Sequence, residues 1–558
     1  MGLRRTRRPR LAARMLWALV AAGLVAAGCG GGGDDDADAA EPTGARTEKS
    51  EQGDPVYGGS ITVGLEAETN SWLPGEANFA NAGITVALAI YDPLMRRDAD
   101  GVVRPYLAES MEPNEDLTEW TLKLRPGVTF HDGTPLDAQA LKTIFDDYLK
   151  APGSNLAADL EDVEEMVIVD DLTVTYRLSR PNSAFPDSLT LAAGYPFSPT
   201  AAAAAGEDAG AHPVGTGPFM FESWERDSQL VVKRNPNYWQ EGLPYLDEIV
   251  FRPIPDEDTR VSSLTSGDID VLQTLRQATV AKVRELDGVD TYEQLGNNTG
   301  VNIFNTTAPP LDDVRVRKAL ALAIERDDVI EVLGGTGLVP PSSQPFGQDD
   351  PYFSEAVDEA WQDGDPETAR ELLEEYVNDP NRSDGKAPGE PVSFRYDCPP
   401  DPTLNELSQL YQAFWEAIGA EVELRQVEQA THVSEAIAGD YQAKCFRMGV
   451  DRDPYPNLKG AFTEGSSTNF TRFTHPDIDA ALEQLAASTD VEERKQLVED
   501  IMLTVNEHYP ITYSGSTLAA VAVQEHVKNL DGWTFPDGTP GTGVPGATVM
   551  WGHVWTTE

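Results

Sequence analysis

The residues of this chain best suited to hold a metal or attack a bond are seven histidines and three cysteines, and their spacing favours neither task. His131, His212, His432, His475, His508, His526 and His553 are scattered, and none lies three or four positions from another histidine or from a cysteine. A closed tetrahedral site needs such short spacings, so no metal site is read and no cofactor is expected. No nucleophile elbow, phosphate-cradling glycine loop or dinucleotide fingerprint occurs. Asp312-Asp313 and Asp327-Asp328 resemble the paired carboxylates of acid–base catalysis. Both pairs fall at predicted helix starts, where they cap the terminus and complement its dipole. Asn297, Asn305, Asn381 and Asn469 sit in Asn-x-Ser/Thr triplets that are read as chance. The chemistry on offer is binding, not bond making.

The elements that must position a binding site begin after a leader. Arg4, Arg5, Arg7, Arg8, Arg10 and Arg14 form a basic start, followed by an apolar run from Met15 to Ala27 that is short for a bilayer. It ends Ala26-Ala27-Gly28-Cys29, which resembles a lipobox with Ala26 where leucine is usual. Residues 1–28 are then a lipoprotein signal peptide and Cys29 the lipidated mature terminus. Residues 29–55 are rich in Gly, Asp and Glu and lack the apolar surface needed to offset ordering entropy, so they are expected to act as a flexible tether. No second apolar stretch approaches about 18 residues.

The formal net charge is −51, and removing the six leader arginines takes it to −57. A body this acidic repels phosphate backbones, so nucleic acid is excluded as a partner. The rest of the 558-residue chain is too long for one core, and two or more lobes are expected. Gly59–Leu65 reads as a strand, about 137–149 as a helix, and 167–178 as a hairpin around Asp170-Asp171. From Val392 onward strands and helices alternate: SFRYDC, a helix near 404–418, EVELRQV, a helix near 433–438, then AKCFRMGV. That alternation predicts a parallel α/β lobe. If its first and third strands are neighbours, Cys398 and Cys445 lie close together; a disulfide and two buried free thiols both remain open.

The densest pattern runs from Tyr91 to Gly133: Tyr-Asp-Pro-Leu, then Pro-Tyr-Leu-Ala-Glu-Ser, then Leu-Arg-Pro-Gly-Val-Thr-Phe-His-Asp-Gly. Gly-Thr-Gly-Pro-Phe at 215–219, Arg-Asn-Pro-Asn-Tyr-Trp at 234–239 and NIFNTTAPPLDDVRVRKALALAIERDDVI at 302–330 belong with it. Together they resemble the bacterial extracellular solute-binding proteins of family 5, which serve peptide and nickel importers of the ABC type. The resemblance implies an α/β, two-lobed periplasmic-binding-protein-like fold with a hinge and an inserted accessory lobe. Lobe I would comprise 56–86, 196–303 and 518–558, the accessory lobe 87–195, and lobe II 304–517. It implies a non-enzymatic, extracytoplasmic monomer, held to the membrane only by lipid, that delivers a small molecule or peptide to a permease and ATPase complex.

Peptide-binding relatives carry Trp-x-x-Asp at the end of a second-lobe strand, the aspartate pairing with the ligand's ammonium group. Here Met448 replaces the tryptophan, Asp451 is kept, and Asp453-Pro454 follows. By the same resemblance Trp72 approaches the ligand. Tyr195, Tyr396 and Asp397 are further candidates for the cleft, since ligands of α/β lobes sit beyond the carboxyl ends of strands; Asn469 sits in a family-typical position, read as a ligand candidate or as a residue that stabilises its loop. An oligopeptide is the first choice of ligand; nickel complexes, opines and oligosaccharides are the alternatives, as is a sensing lipoprotein of the same fold.

Overall fold

The computed structural model describes residues 52–558 apart from 78, 151–155, 157–159, 161, 349, 450–452 and 467. The chain first contributes β1 (Ser60–Leu65), then four antiparallel strands of a small sheet, β2 (Ala108–Pro113), β3 (Glu119–Leu124), β4 (Val163–Asp170) and β5 (Thr173–Leu178). It continues with β6 (Phe219–Glu225), β7 (Gln229–Arg234), β8 (Glu248–Pro253) and β9 (Val271–Thr274). Last come β10 (Val289–Phe304), β11 (Ser393–Cys398), β12 (Glu421–Gln426), β13 (Ala443–Gly449) and β14 (Ile511–Gln524).

One sheet of ten strands runs in the order β12-β11-β13-β10-β14-β9-β1-β8-β7-β6. Its two ends are separate lobes. In the first, β1 is parallel to both β8 and β9; in the second, β11 is parallel to both β12 and β13. Two strands pass between them. The start of β10 pairs with the end of β14 from Val289↔Gln524 to Gly296↔Thr517, while Asn298–Phe304 pair with β13. The ladder slips at Gly296/Thr299 and Thr299/Val301, where the sheet crosses from lobe to lobe. Irregular registers concentrate bending and twist, which makes this crossing the natural hinge. The AAVAV run at 519–523 is buried at every position because helices and loops cover both faces there.

The small sheet, in the order β2-β3-β5-β4, shares a continuous core with the first lobe: Leu122, Leu124 and Val174 pack in the same cluster as Ile61, Val63 and Trp551. The second lobe has one core on each sheet face, one under the helices Pro476–Ala487 and Val491–His508 and one under Pro402–Ala417. Asp313 caps its helix by accepting from the Arg315 N–H at 2.8 Å, and Asp327 and Asp328 occupy the first turn of theirs. No helix among the described residues is long and apolar enough to cross a membrane.

Four of the five short motifs of the first half interlock. The Ile90 carbonyl lies where a Cβ on Gly215 would stand 2.1 Å from its oxygen and one on Gly217 2.5 Å from its carbon, so only glycine fits at either position. The Gly217 N–H donates to that same Ile90 carbonyl at 2.9 Å. The His131 ring accepts from the Gly215 N–H at its Nδ1 (3.3 Å) and sets its Nε2 3.0 Å from the Gly217 carbonyl. Asn235 donates to that carbonyl at 3.1 Å, and Trp239 and Tyr238 donate to the Asp92 carboxylate at 2.7 and 3.1 Å. The motifs therefore build the joint between accessory sheet and first lobe.

Burial lowers the His131 imidazole to about 4, with the Gly217 carbonyl pulling the other way. The unfolded chain protonates near 6.5, so it binds the extra proton between pH 6.5 and 4 and stability falls as pH drops through that window. Asp92 has the opposite sign: burial raises its carboxyl to about 7, which costs stability as pH rises toward 7. His131→Gln, which keeps a donor and an acceptor, should therefore lose about 2 kcal/mol less than the parent between pH 7 and pH 4.5. Urea unfolding at the two pH values measures the difference, and parallel losses in parent and variant would contradict it.

Candidate functional site

The carboxyl ends of β9 and β13 lie toward the hinge, where Thr274 pairs with Ala520 and Gly449 with Asn298. In the first lobe β1 ends at Leu65 and is followed by Glu66, whose side chain lies 4.0 Å from Nη2 of the fully buried Arg260. Burial raises the Glu66 carboxyl, with Arg260 pulling it down. β9 ends at Thr274, and two residues later Arg276 meets Glu257 at 3.2 Å and reaches Asp401 of the second lobe at 3.9 Å. Asp401 caps the helix that follows β11. The two sets of strand ends thus come within charge–charge reach of each other.

Gln273, the penultimate residue of β9, is 1% exposed, and neither end of its carboxamide makes a hydrogen bond. The Trp72 indole N–H is likewise buried without a partner. Buried polar groups are almost always satisfied, so the unmatched Gln273 carboxamide near the end of β9 and the unmatched Trp72 N–H in the loop after β1 are candidates to bond an incoming group. Sequence reasoning missed Gln273. Its signal was an amide in a short strand, VLQT, that opens with two apolar residues.

The predicted residues fall into three groups. Trp72 and Tyr195 are brought together: Phe79 lies 6.3 Å from the first ring and 6.5 Å from the second, and Tyr195 stacks on Tyr91 at 6.0 Å. Trp224 meets Trp72 edge-on at 5.7 Å, and the Trp72 carbonyl accepts from the Tyr91 hydroxyl at 2.8 Å. Tyr396, Asp397 and Asn469 lie inside the second lobe, each with partners there. The Tyr396 hydroxyl donates to Asn302 on β10, and its ring stands edge-on to Trp415. Asp397 is fully buried and bonds both oxygens to Arg425 at 3.0 and 2.8 Å, with Arg395 at 3.0 Å and Lys444 at 3.7 Å. Asn469 donates to the carbonyls of Phe473 (2.9 Å) and Thr463 (3.3 Å) and so pins its own loop. In the third group, Met448 is half-buried opposite Thr299 at the hinge. Asp451 and Cys29 lie outside the described residues.

β11 and β13 are neighbours, and a disulfide joins Cys398 to Cys445 with Cα atoms 5.3 Å apart. Among the described residues no group of three or more His, Cys, Asp or Glu side chains is placed to hold a metal ion.

Comparison with known proteins gives this arrangement a context. Residues 102–469 match the family described as bacterial extracellular solute-binding proteins, family 5 Middle. The glutathione-binding protein GsiB of Salmonella paratyphi A is 28% identical over 508 residues, covering 86% of this chain and 92% of its own. Among solved structures, the binding protein AgaA of A. tumefaciens in complex with agropinic acid superposes with a TM-score of 0.75 at 25% identity, covering 90% of this chain and 99% of its own. The substrate-binding protein CtaP of Listeria monocytogenes gives 0.73 at 23% identity, covering 90% of this chain and 100% of its own. The chain belongs to the family 5 bacterial extracellular solute-binding proteins, the substrate-binding components of ABC importers.

Proposed function

We propose that the protein captures a short peptide between its lobes and hands it to a membrane permease driven by an ATPase. The observation that carries the peptide reading is the Gln273 carboxamide, buried and unbonded at the end of β9. A carboxamide offers one acceptor and a donor side by side, the same complement as the peptide group it would meet. The Trp72 N–H adds a second donor on the same lobe. The similarity to glutathione-binding proteins, whose ligand is a tripeptide, supports the same class. Asp451, next to the second-lobe strand end, is assigned the ligand's ammonium group, and Cys29 the lipid that anchors a monomeric body. The proposed division is 56–86, 196–303 and 518–558 for lobe I, 87–195 for the accessory lobe and 304–517 for lobe II.

Native mass spectrometry of protein purified from its own host, followed by calorimetric titration with glutathione and with trialanine, tests this reading. A co-purified peptide mass, or micromolar-or-tighter binding of either probe, is expected. A co-purified sugar or metal chelate with no binding of either peptide would refute it. Gln273→Leu keeps the side chain's bulk and removes both bonding groups; it should weaken peptide binding about tenfold while leaving the ligand-free protein as stable as the parent or more so. Unchanged affinity would remove Gln273 from the site.

A further inference from the structure

The accessory lobe meets the second lobe at a contact that reaches from the turn after β13 to the helix Val491–His508. Ser183 donates its N–H to the Ala486 carbonyl at 2.8 Å and its hydroxyl to that of Leu485 at 3.2 Å. Arg494 sits at the centre. Its Nη1 donates to the Ser183 hydroxyl (2.6 Å) and to the Leu485 and Ser488 carbonyls (2.7 and 3.0 Å), while Nη2 binds both oxygens of Asp453 at 2.5 Å. Its Nε donates to the Tyr352 hydroxyl at 3.2 Å. From the accessory side, Asp187 accepts from the Asp453 backbone N–H at 2.6 Å and pairs with Arg97 at 2.7 Å. Asp162 adds a pairing with Lys459 at 3.5 Å. Asp162, Asp187 and Arg494 are all 5% exposed or less, and Ala184 joins the second lobe's hydrophobic cluster.

Two properties distinguish this contact from a permanent core. It is built almost wholly of charged and hydrogen-bonding groups, as expected of a surface that must also tolerate water, whereas interfaces that never open are largely apolar. It also holds Asp453, the residue that caps the helix Pro454–Phe462 just beyond β13. A lobe swinging on β10 and β14 would bring these surfaces together or part them.

We propose that Ser183 and Asp187 of the accessory lobe and Arg494 of the second lobe form a clasp that is made when the lobes close, and that these positioning residues set how long any ligand is retained without touching it. The inference rests on the binding-protein reading given above. Its signature is a common factor. Because the clasp acts on the open–closed equilibrium, weakening it lowers the retention of every ligand equally. The double variant Ser183→Ala/Asp187→Asn leaves the second lobe's own bonds to Arg494 intact. It should speed dissociation of glutathione and of trialanine by the same factor, about tenfold, with association rates little changed. Arg494→Lys, which keeps the charge but loses the fork, should show the same common factor, and the ligand-free melting temperature of the double variant should stay within about 2 °C of the parent. Dissociation rates equal to the parent's, or a change that differs between the two probes, would overturn the clasp.

A second readout needs no ligand and so separates failure of the clasp from failure of the peptide reading. In the ligand-free parent, the amide hydrogens of Ser183 and Asp453 should exchange at least about tenfold faster than those in the β10–β14 ladder, and faster still in the double variant. Protection equal to that ladder would show permanent packing, and the inference fails whatever the protein binds.

Discussion

Asp451→Asn is expected to weaken binding of a free-amine tripeptide by about thirtyfold or more while leaving the fold unchanged. The substitution keeps the side chain's shape and removes its charge. Losing one partner of a desolvated, hydrogen-bonded charge pair typically costs about 2–5 kcal/mol, and each 1.4 kcal/mol is tenfold in affinity. A lobe closing over the ligand supplies the desolvation, since in water the same pairing is worth about 1 kcal/mol or less. The ligand-free unfolding free energy should stay within about 1 kcal/mol of the parent. The decisive comparison is calorimetric titration of trialanine and N-acetyl-trialanine into both proteins. The parent should prefer the free amine strongly and the variant hardly at all. Equal affinity of the parent for the two peptides would show that Asp451 does not read an amine, and a neutral ligand would then be the better assignment.

The fold was legible in this sequence to a greater depth than the site. Strand–helix alternation after Val392 identified a parallel lobe, and the structure places β11 beside β13, the first and third strands of that run. Periodicity and turn residues carry such information locally. The short motifs signalled the family, yet their residues hold a joint: His131 bonds Gly215 and Gly217, and Trp239 and Tyr238 bond Asp92. A glycine that must lie against a carbonyl is a packing requirement that leaves a strong pattern in sequence.

Residues proposed for the cleft leave a weaker pattern. Tyr396 and Asp397 sit at a strand end, as a ligand contact would, but Asp397 is engaged by Arg425, which lies 28 positions away, and by Arg395. Only the folded sheet reveals that pairing. The clasp was less legible still. Ser183 and Arg494 are separated by 311 positions, and neither belongs to a repeated motif. Gln273 stood out only because a buried amide in a short strand has to bond to something.

Breaking the Cys398–Cys445 bridge is expected to lower the unfolding free energy by about 4 kcal/mol, through the unfolded state. The two residues are 47 positions apart, and closing a loop of that length removes chain entropy that the reduced, unfolded protein regains. Their Cα separation of 5.3 Å lies within the ordinary range for a disulfide, so the native backbone accommodates the bond. Both side chains are buried, at 4% and 9% exposure, and each packs in the core beneath the helix Pro402–Ala417. The double variant Cys398→Ala/Cys445→Ala therefore loses the cross-link together with a small amount of packing. The register of β11 and β13 is also held by backbone pairing at Tyr396↔Ala443 and Asp397↔Lys444, so the native lobe survives without the bond. Denaturant unfolding of parent, double variant and dithiothreitol-treated parent should place the last two together, well below the first. Ligand affinity measured under native conditions should change little, because the bond acts on the unfolded chain. Two cysteines that react with an alkylating agent in the unreduced, denatured parent would show that the thiols are free in solution, and an unfolding midpoint unmoved by reductant would say the same.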